Sequence, residues 1–299
     1  IGLALIGQGV AAQIGITVTV AVAGAAISLV IVHRAFVPLH GSFDIRLVRS
    51  LIGQVLPVAV LFACSAVLRW SDLLILGQLR PMNDVAMYGS AIKIVDLAFV
   101  FSNSAATAMF PVLSVRWRES VDLARELYTH SLRLFIAFGL AVAFGLTMLA
   151  EPITATIFGA AYRAAASPLR LLGWAFFFQV INGPAWLLLI ASGNRLNKFI
   201  PAIGALVAGN IALNVLLAPR LGPVGSASAF VLTALGNGLV REWITVDYFD
   251  NPPRVRTMAW RPALAGLVMG TILFPLRSAS LMVSIPLGTA IFVAMLGVL

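Results

Sequence analysis

RWSDLLILGQLRPMNDVAMYGSAIKIVDLAFVFSNSAATAMFPVLSVRW, from Arg69 to Trp117, decides how this chain has to be read. Two long apolar segments flank the turn Arg80-Pro81-Met82-Asn83-Asp84. Neither segment alternates in polarity as a half-buried strand would, and each is long enough for a helix that crosses a bilayer. Four charges nevertheless sit inside the apolar parts: Arg69 and Asp72 before the turn, Lys93 and Asp96 after it. A charged side chain at the bilayer centre costs about 2.5–3.5 kcal/mol on insertion scales, so these four need compensation or a task.

The rest of the chain extends the same pattern. It is 61% hydrophobic and 10% charged, with a mean hydropathy of +1.01, against roughly 45–50% apolar content in a soluble domain. Apolar runs of about 20 residues recur, which points to helices rather than to the short alternating strands of a barrel. The expected fold is therefore all-α, a polytopic helical membrane protein with about nine spans. They are placed at 8–32, 51–79, 86–113, 131–158, 165–192, 199–218 and 223–240, followed by a terminal hairpin over 262–299. The fifth is polar in its middle at Gln179 and Asn182 and broken by Gly183-Pro184. The stretch from Arg116 to Arg133 reads either as an amphipathic surface helix or as a solvated connector.

The net charge of +9 is resolved by topology. Thirteen of the 20 Lys and Arg residues fall in alternate loops, at 33–50, 114–133, 193–198 and 241–261. By the positive-inside rule those loops are cytoplasmic. The arginine excess is then an orientation device, and no nucleic-acid partner is required. Cys64 is the single cysteine and the three histidines lack ligand spacing, so neither a disulfide, a metal nor any other cofactor is expected. The chain begins at Ile1 without a basic leader, which predicts a portion of a longer protein with an odd number of further spans upstream.

Ionisable groups at membrane depth usually face a bundle interior or a watery cavity. The quartet Arg69, Asp72, Lys93 and Asp96 is therefore read as cavity-facing, with a purely structural set of salt bridges as the alternative. In an antiparallel helix pair turning near residues 82 and 83, Asp72 falls level with Lys93 and Arg69 level with Asp96, so two cross-pairs are expected. Gln179, Asn182, Asn210 and Asn214 either line the same cavity or act as interhelical glue; Asn237 belongs to the same group. Catalytic signatures are absent: there is no HExxH, GxSxG or Walker loop. The chain is expected not to be an enzyme.

The run from Ser71 to Ser114 resembles the seventh and eighth helices of Wzx-type polysaccharide flippases, in the multidrug/oligosaccharidyl-lipid/polysaccharide exporter superfamily. The likeness rests on Asp72 followed by an apolar run to Gly77, on Tyr88 to Ala91, and on the Phe-Pro-x-Leu-Ser ending at Phe110 to Ser114. The segment from Leu188 to Ala229, with its Ser-Gly-Asn turn and Leu-Gly-Pro-x-Gly entry, is similar to that family's tenth-to-twelfth helix region. This resemblance implies the C-terminal lobe of a two-lobe exporter that moves a lipid-linked oligosaccharide across the cytoplasmic membrane by alternating access. Residues 1–50 then hold a lobe-connecting helix and cytoplasmic loop, 51–246 the core of the lobe, and 247–299 a loop and terminal hairpin. Implied partners are the lipid-linked saccharide, a coupling cation (H+ or Na+), membrane lipids and other polysaccharide-assembly proteins. The implied location is the bacterial inner membrane, with multiple passes. Three alternatives stay open: a cation-coupled multidrug exporter of the same fold, a membrane-embedded envelope-assembly enzyme, and a non-transporting scaffold.

Overall fold

The computed structural model describes residues 10–35, 45–192, 196–275 and 281–298, and no strand occurs among them. The Ser-Gly-Asn-Arg turn and Arg277 fall partly or wholly outside the described residues. The chain divides into two units, Ile1–Gly53 and Gln54–Leu299. Helix α1, Val10–Ala35, belongs to the first, and α2, Ile45–Leu79, leads into the second. Within the second follow α3 (Met82–Glu119), α4 (Val121–Phe158), α5 (Ala166–Val180), α6 (Gly183–Ser192), α7 (Leu196–Leu221), α8 (Pro223–Tyr248), α9 (Val255–Leu273) and α10 (Leu281–Val298).

Seven helices among the described residues are long and apolar enough to cross a membrane. The paired segments α5 and α6 form one of them, interrupted at Gly183-Pro184 as the sequence predicts. Two of the predicted nine spans fall short of that standard. In α1 the apolar part narrows to Val18–Arg34, and α9 carries Arg256 and Arg261 in its first half. The charged stretch 116–133 is not a separate surface helix. Helix α3 runs on to Glu119, α4 starts at Val121, and Ser120 between them accepts a hydrogen bond from Asp122 N at 3.2 Å, an N-cap. The charges thus decorate the adjoining ends of two long helices.

Helix α4 lies at the centre of the second unit because its buried side chains recur at helical spacing: Ala124, Tyr128, Leu132, Phe135, Leu140, Ala143 and Ala150. It packs on α5 on one side and α9 on another. Gly139 permits the first contact, since a Cβ there would lie 2.8 Å from Val180 Cγ1. Gly266 permits the second, where a Cβ would collide with the Phe144 ring. On α3 the buried stripe is Tyr88, Ala91, Val95, Ser102 and Leu113, which aims this helix at α4, α5 and α6.

The turn that opened the sequence reading is held from outside the hairpin. Arg80 Nε donates to Asp84 Oδ2 at 2.7 Å, and Arg80 Nη1 reaches the Pro219 carbonyl at 3.4 Å. Gly222, at φ +56°, makes the α7–α8 turn beside the same two side chains. The tips of the two hairpins are thereby joined.

Candidate functional site

Four charges lie on α2 and α3 within two turns of one another, yet the structure sends them to three different places. Arg69 and Asp96 form an ion pair across the hairpin, with about a third of each side chain exposed. This is one of the two cross-pairs expected. Asp72 does not meet Lys93. Tyr88 Oη donates to Asp72 Oδ2 at 3.0 Å and Asn214 Nδ2 to Asp72 Oδ1 at 2.6 Å, and Asp72 is 2% exposed. Lys93 is exposed and makes no ion pair among the described residues. The reason is rotational. Equal depth places Lys93 level with Asp72, but on α3 Lys93 stands opposite the stripe Tyr88, Ala91, Val95 that faces the interior. Tyr88, about one turn nearer the tip and on the inner face, takes the place in contact with Asp72.

Asp72 heads a closed polar network. Asn214 also touches the Asn210 carbonyl at 3.0 Å, Ser71 Oγ donates to Asn210 Oδ1 at 2.8 Å, and Asn210 Nδ2 donates to Thr233 Oγ1 at 3.1 Å. Every member is buried. The network ties α2, α3, α7 and α8 together, and Asn210 and Asn214 reach it jointly because their i, i+4 spacing puts them on one face of α7.

The Arg69–Asp96 pair, by contrast, stands in the wall of a cavity of about 510 Å³. Gln179 and Asn237 line the same cavity, joined by a 2.9 Å hydrogen bond from Asn237 Nδ2 to Gln179 Oε1. Ser65 and Asn103 add polar groups, while Phe99, Trp186 and Phe230 add ring faces. Chemically the wall offers amides, a neutralised guanidinium–carboxylate pair and aromatic surface. Asn182 joins neither group. It is fully buried at the α5–α6 break, and both its side-chain Nδ2 and Oδ1 lack partners among the described residues. Of the eight residues singled out by sequence, then, Arg69, Asp96 and Gln179 share the cavity, Asp72, Asn210 and Asn214 share the network, and Lys93 and Asn182 stand apart. No cluster of metal-ligating side chains occurs among the described residues.

Sequence reasoning missed several participants. Tyr88, Ser71 and Thr233 are polar residues in apolar runs, and only the fold shows that they converge. Arg241, expected in a cytoplasmic loop, lies inside α8, 5% exposed, with Nη2 donating to Glu242 Oε1 at 2.7 Å and its other two nitrogens without partners among the described residues. The helix continues past it because Ile244, Thr245 and Tyr248 are buried one to two turns on.

Comparison with known proteins agrees with this architecture. A probable low-salt glycan biosynthesis flippase of Haloferax volcanii is 23% identical over 216 residues, covering 70% of this chain and 44% of that protein. An uncharacterised membrane protein of Methanocaldococcus jannaschii is 25% identical over 216 residues, 70% of this chain and 40% of that one. The chain spans less than half the length of these relatives. Among solved structures, the lipid II flippase MurJ in an inward closed conformation superimposes with a TM-score of 0.69 at 16% identity, over 86% of this chain and 55% of that one. An outward-facing multidrug resistance MATE transporter of the MOP superfamily gives 0.55 at 18% identity, over 82% and 63%. At such identities the likeness is one of fold. The family described as polysaccharide biosynthesis protein matches residues 1–167, more than half of the sequence, and this multi-pass membrane chain belongs to that family.

Proposed function

We propose that the chain is the C-terminal part of a flippase that carries a lipid-linked oligosaccharide across the membrane by alternating access, with the cavity beside Arg69 and Asp96 receiving the head of the substrate. The observation that carries the reading is the cavity itself: amides, a paired guanidinium and carboxylate, and ring faces converge from α2, α3, α5, α6 and α8. Such a wall suits a polyhydroxylated head, since sugar hydroxyls exchange hydrogen bonds with amides and carboxylates while their C–H faces lie on aromatic rings. Asp72 is assigned the coupling cation. A buried carboxylate whose hydrogen-bond donors among the described residues are the neutral Tyr88 and Asn214 is a natural seat for a proton or a sodium ion.

The test is a deletion strain of the source organism. Accumulation of lipid-linked saccharide on the inner leaflet, relieved by the wild-type gene and not by one carrying Arg69→Ala with Asp96→Ala, is the expected result. Unaltered lipid intermediates together with raised dye sensitivity would replace this reading by a drug exporter, the function carried by the MATE relative.

A further inference from the structure

A second polar recess lies far from the cavity, where α4 and α9 begin. The two helices run in the same direction, because Gly266 faces Phe144 and, one turn on, Gly270 faces Met148, whose Cγ would stand 3.7 Å from a Cβ placed there. The segment 251–254 that leads into α9 therefore comes beside the early part of α4. Arg125 and Thr129 of α4 meet Asn251, Arg254, Thr257 and Met258 around a cleft of about 280 Å³. A second recess of about 320 Å³ continues along α4 past His130 to Arg133.

The cleft is basic and its charges are poorly spoken for. Arg254 is exposed and makes no ion pair among the described residues. Among the described residues Arg125 pairs only with Asp122, at 3.9 Å, and that carboxylate is 90% exposed. Glu126 lies beside the second recess and is turned to His130 at 3.8 Å. The Thr129 and Thr257 hydroxyls donate to the Arg125 and Arg254 carbonyls, at 2.7 and 2.8 Å, so the guanidinium groups and the Asn251 amide are the donors left to a ligand. Two guanidinium groups lining one cleft match a phosphate oxygen set.

The rim identifies the source of that phosphate. Trp260 is half exposed, with the Arg261 guanidinium 5.2 Å from its ring centre, the kind of residue that sits at the headgroup level. Beyond it the exposed surface turns apolar along the same face of α9, with Leu264 and Leu267. A headgroup held by Arg125 and Arg254 would send its acyl chains along that strip, whereas a free phosphate has no use for it. We infer that the cleft between the starts of α4 and α9 binds the headgroup of an anionic phospholipid, through Arg125 and Arg254.

Native mass spectrometry of the purified protein in detergent, with phosphatidylglycerol or phosphatidylcholine added, tests the inference. The wild type is expected to retain one phosphatidylglycerol in preference to phosphatidylcholine. Removing the arginines should reduce that preference roughly fivefold each, and about 25-fold in the Arg125→Ala/Arg254→Ala double variant. Arg220→Ala, at the opposite end of the helices, should leave it unchanged. Equal retention of the two lipids by the wild type overturns the inference without recourse to any variant. So does undiminished selectivity in the double variant, and so does complete displacement of the lipid by millimolar inorganic phosphate, which would make this a simple phosphate site.

Discussion

Arg69 and Asp72 stand three residues apart on one helix, and their surroundings differ in kind. Arg69 pairs with Asp96 in the wall of a cavity, with a third of its side chain open. Asp72 is closed in by Tyr88 and Asn214, and through them by Asn210, Ser71 and Thr233. A charge beside an aqueous cavity keeps part of its hydration, so its pairing is adjustable and its loss is tolerable. A buried charge has given up hydration and depends on each hydrogen bond made to it. The first arrangement suits a surface that meets changing substrate groups. The second suits a joint that holds four helices in one relative position and changes only when its own charge does.

The largest expected effect is at the joint. Asp72→Leu removes the acceptor of Tyr88 and Asn214 at once, leaving two buried donors without partners, and should destabilise the protein by about 3 kcal/mol. Thermal unfolding in detergent, with membrane abundance beside it, measures this. A variant as stable as wild type would mean that Asp72 is a passenger in the network and would dissolve the contrast with Arg69.

Next come the amides, which divide in sign. Asn214→Leu should cost about 2 kcal/mol, since it strips Asp72 of a donor. Asn182→Leu should instead gain about 1 kcal/mol, because both polar atoms of Asn182 are buried without partners among the described residues and replacement removes their desolvation penalty. Opposite shifts in the same unfolding assay would sharpen the distinction between a side chain bonded into the network and an isolated polar group. A loss at Asn182 as large as that at Asn214 would instead point to a partner gained by Asn182 in another conformation.

At the cavity wall a smaller stability change is expected with a larger functional one. Asp96→Ala should cost about 1 kcal/mol, since the pair is a third exposed and screened, while export falls. Exchanging the two residues, Arg69→Asp with Asp96→Arg, should restore abundance to the wild-type level. No recovery relative to the single changes would argue that each charge faces the cavity independently of the other.

How far all this was legible beforehand follows the same division. The α2–α3 hairpin, the break at Gly183-Pro184 and the Arg69–Asp96 pair could be read from residue numbers, since they depend on apolar length, turn residues and depth along two adjacent helices. The partnership of Asp72 with Asn214 spans 142 positions of sequence, and no periodicity within either helix reveals which face of α7 will meet α2. Arg241 differs from expectation for a related reason: a charge near the end of an apolar run reads as loop unless the burial of Tyr128 and Tyr248 around it is already known. Depth was readable from one dimension; azimuth needed the assembled bundle.

Lys93 is where that lesson predicts the least. By depth alone it should be Asp72's partner, and its removal should then leave a buried carboxylate uncompensated, at a cost of several kcal/mol. By azimuth it stands opposite Tyr88, Ala91 and Val95, exposed and outside the cavity lining. Substitution of an exposed side chain remote from core and network usually changes stability by no more than about 0.5 kcal/mol. Lys93→Ala should therefore unfold at the wild-type temperature and export at the wild-type rate, and Asp72→Lys with Lys93→Asp should be no better than Asp72→Lys alone. Recovery in that double variant would mean that α3 turns about its axis by nearly half a revolution in another state of the cycle, bringing Lys93 inward to Asp72, and the closed network would then be one of two alternating partnerships instead of a permanent joint.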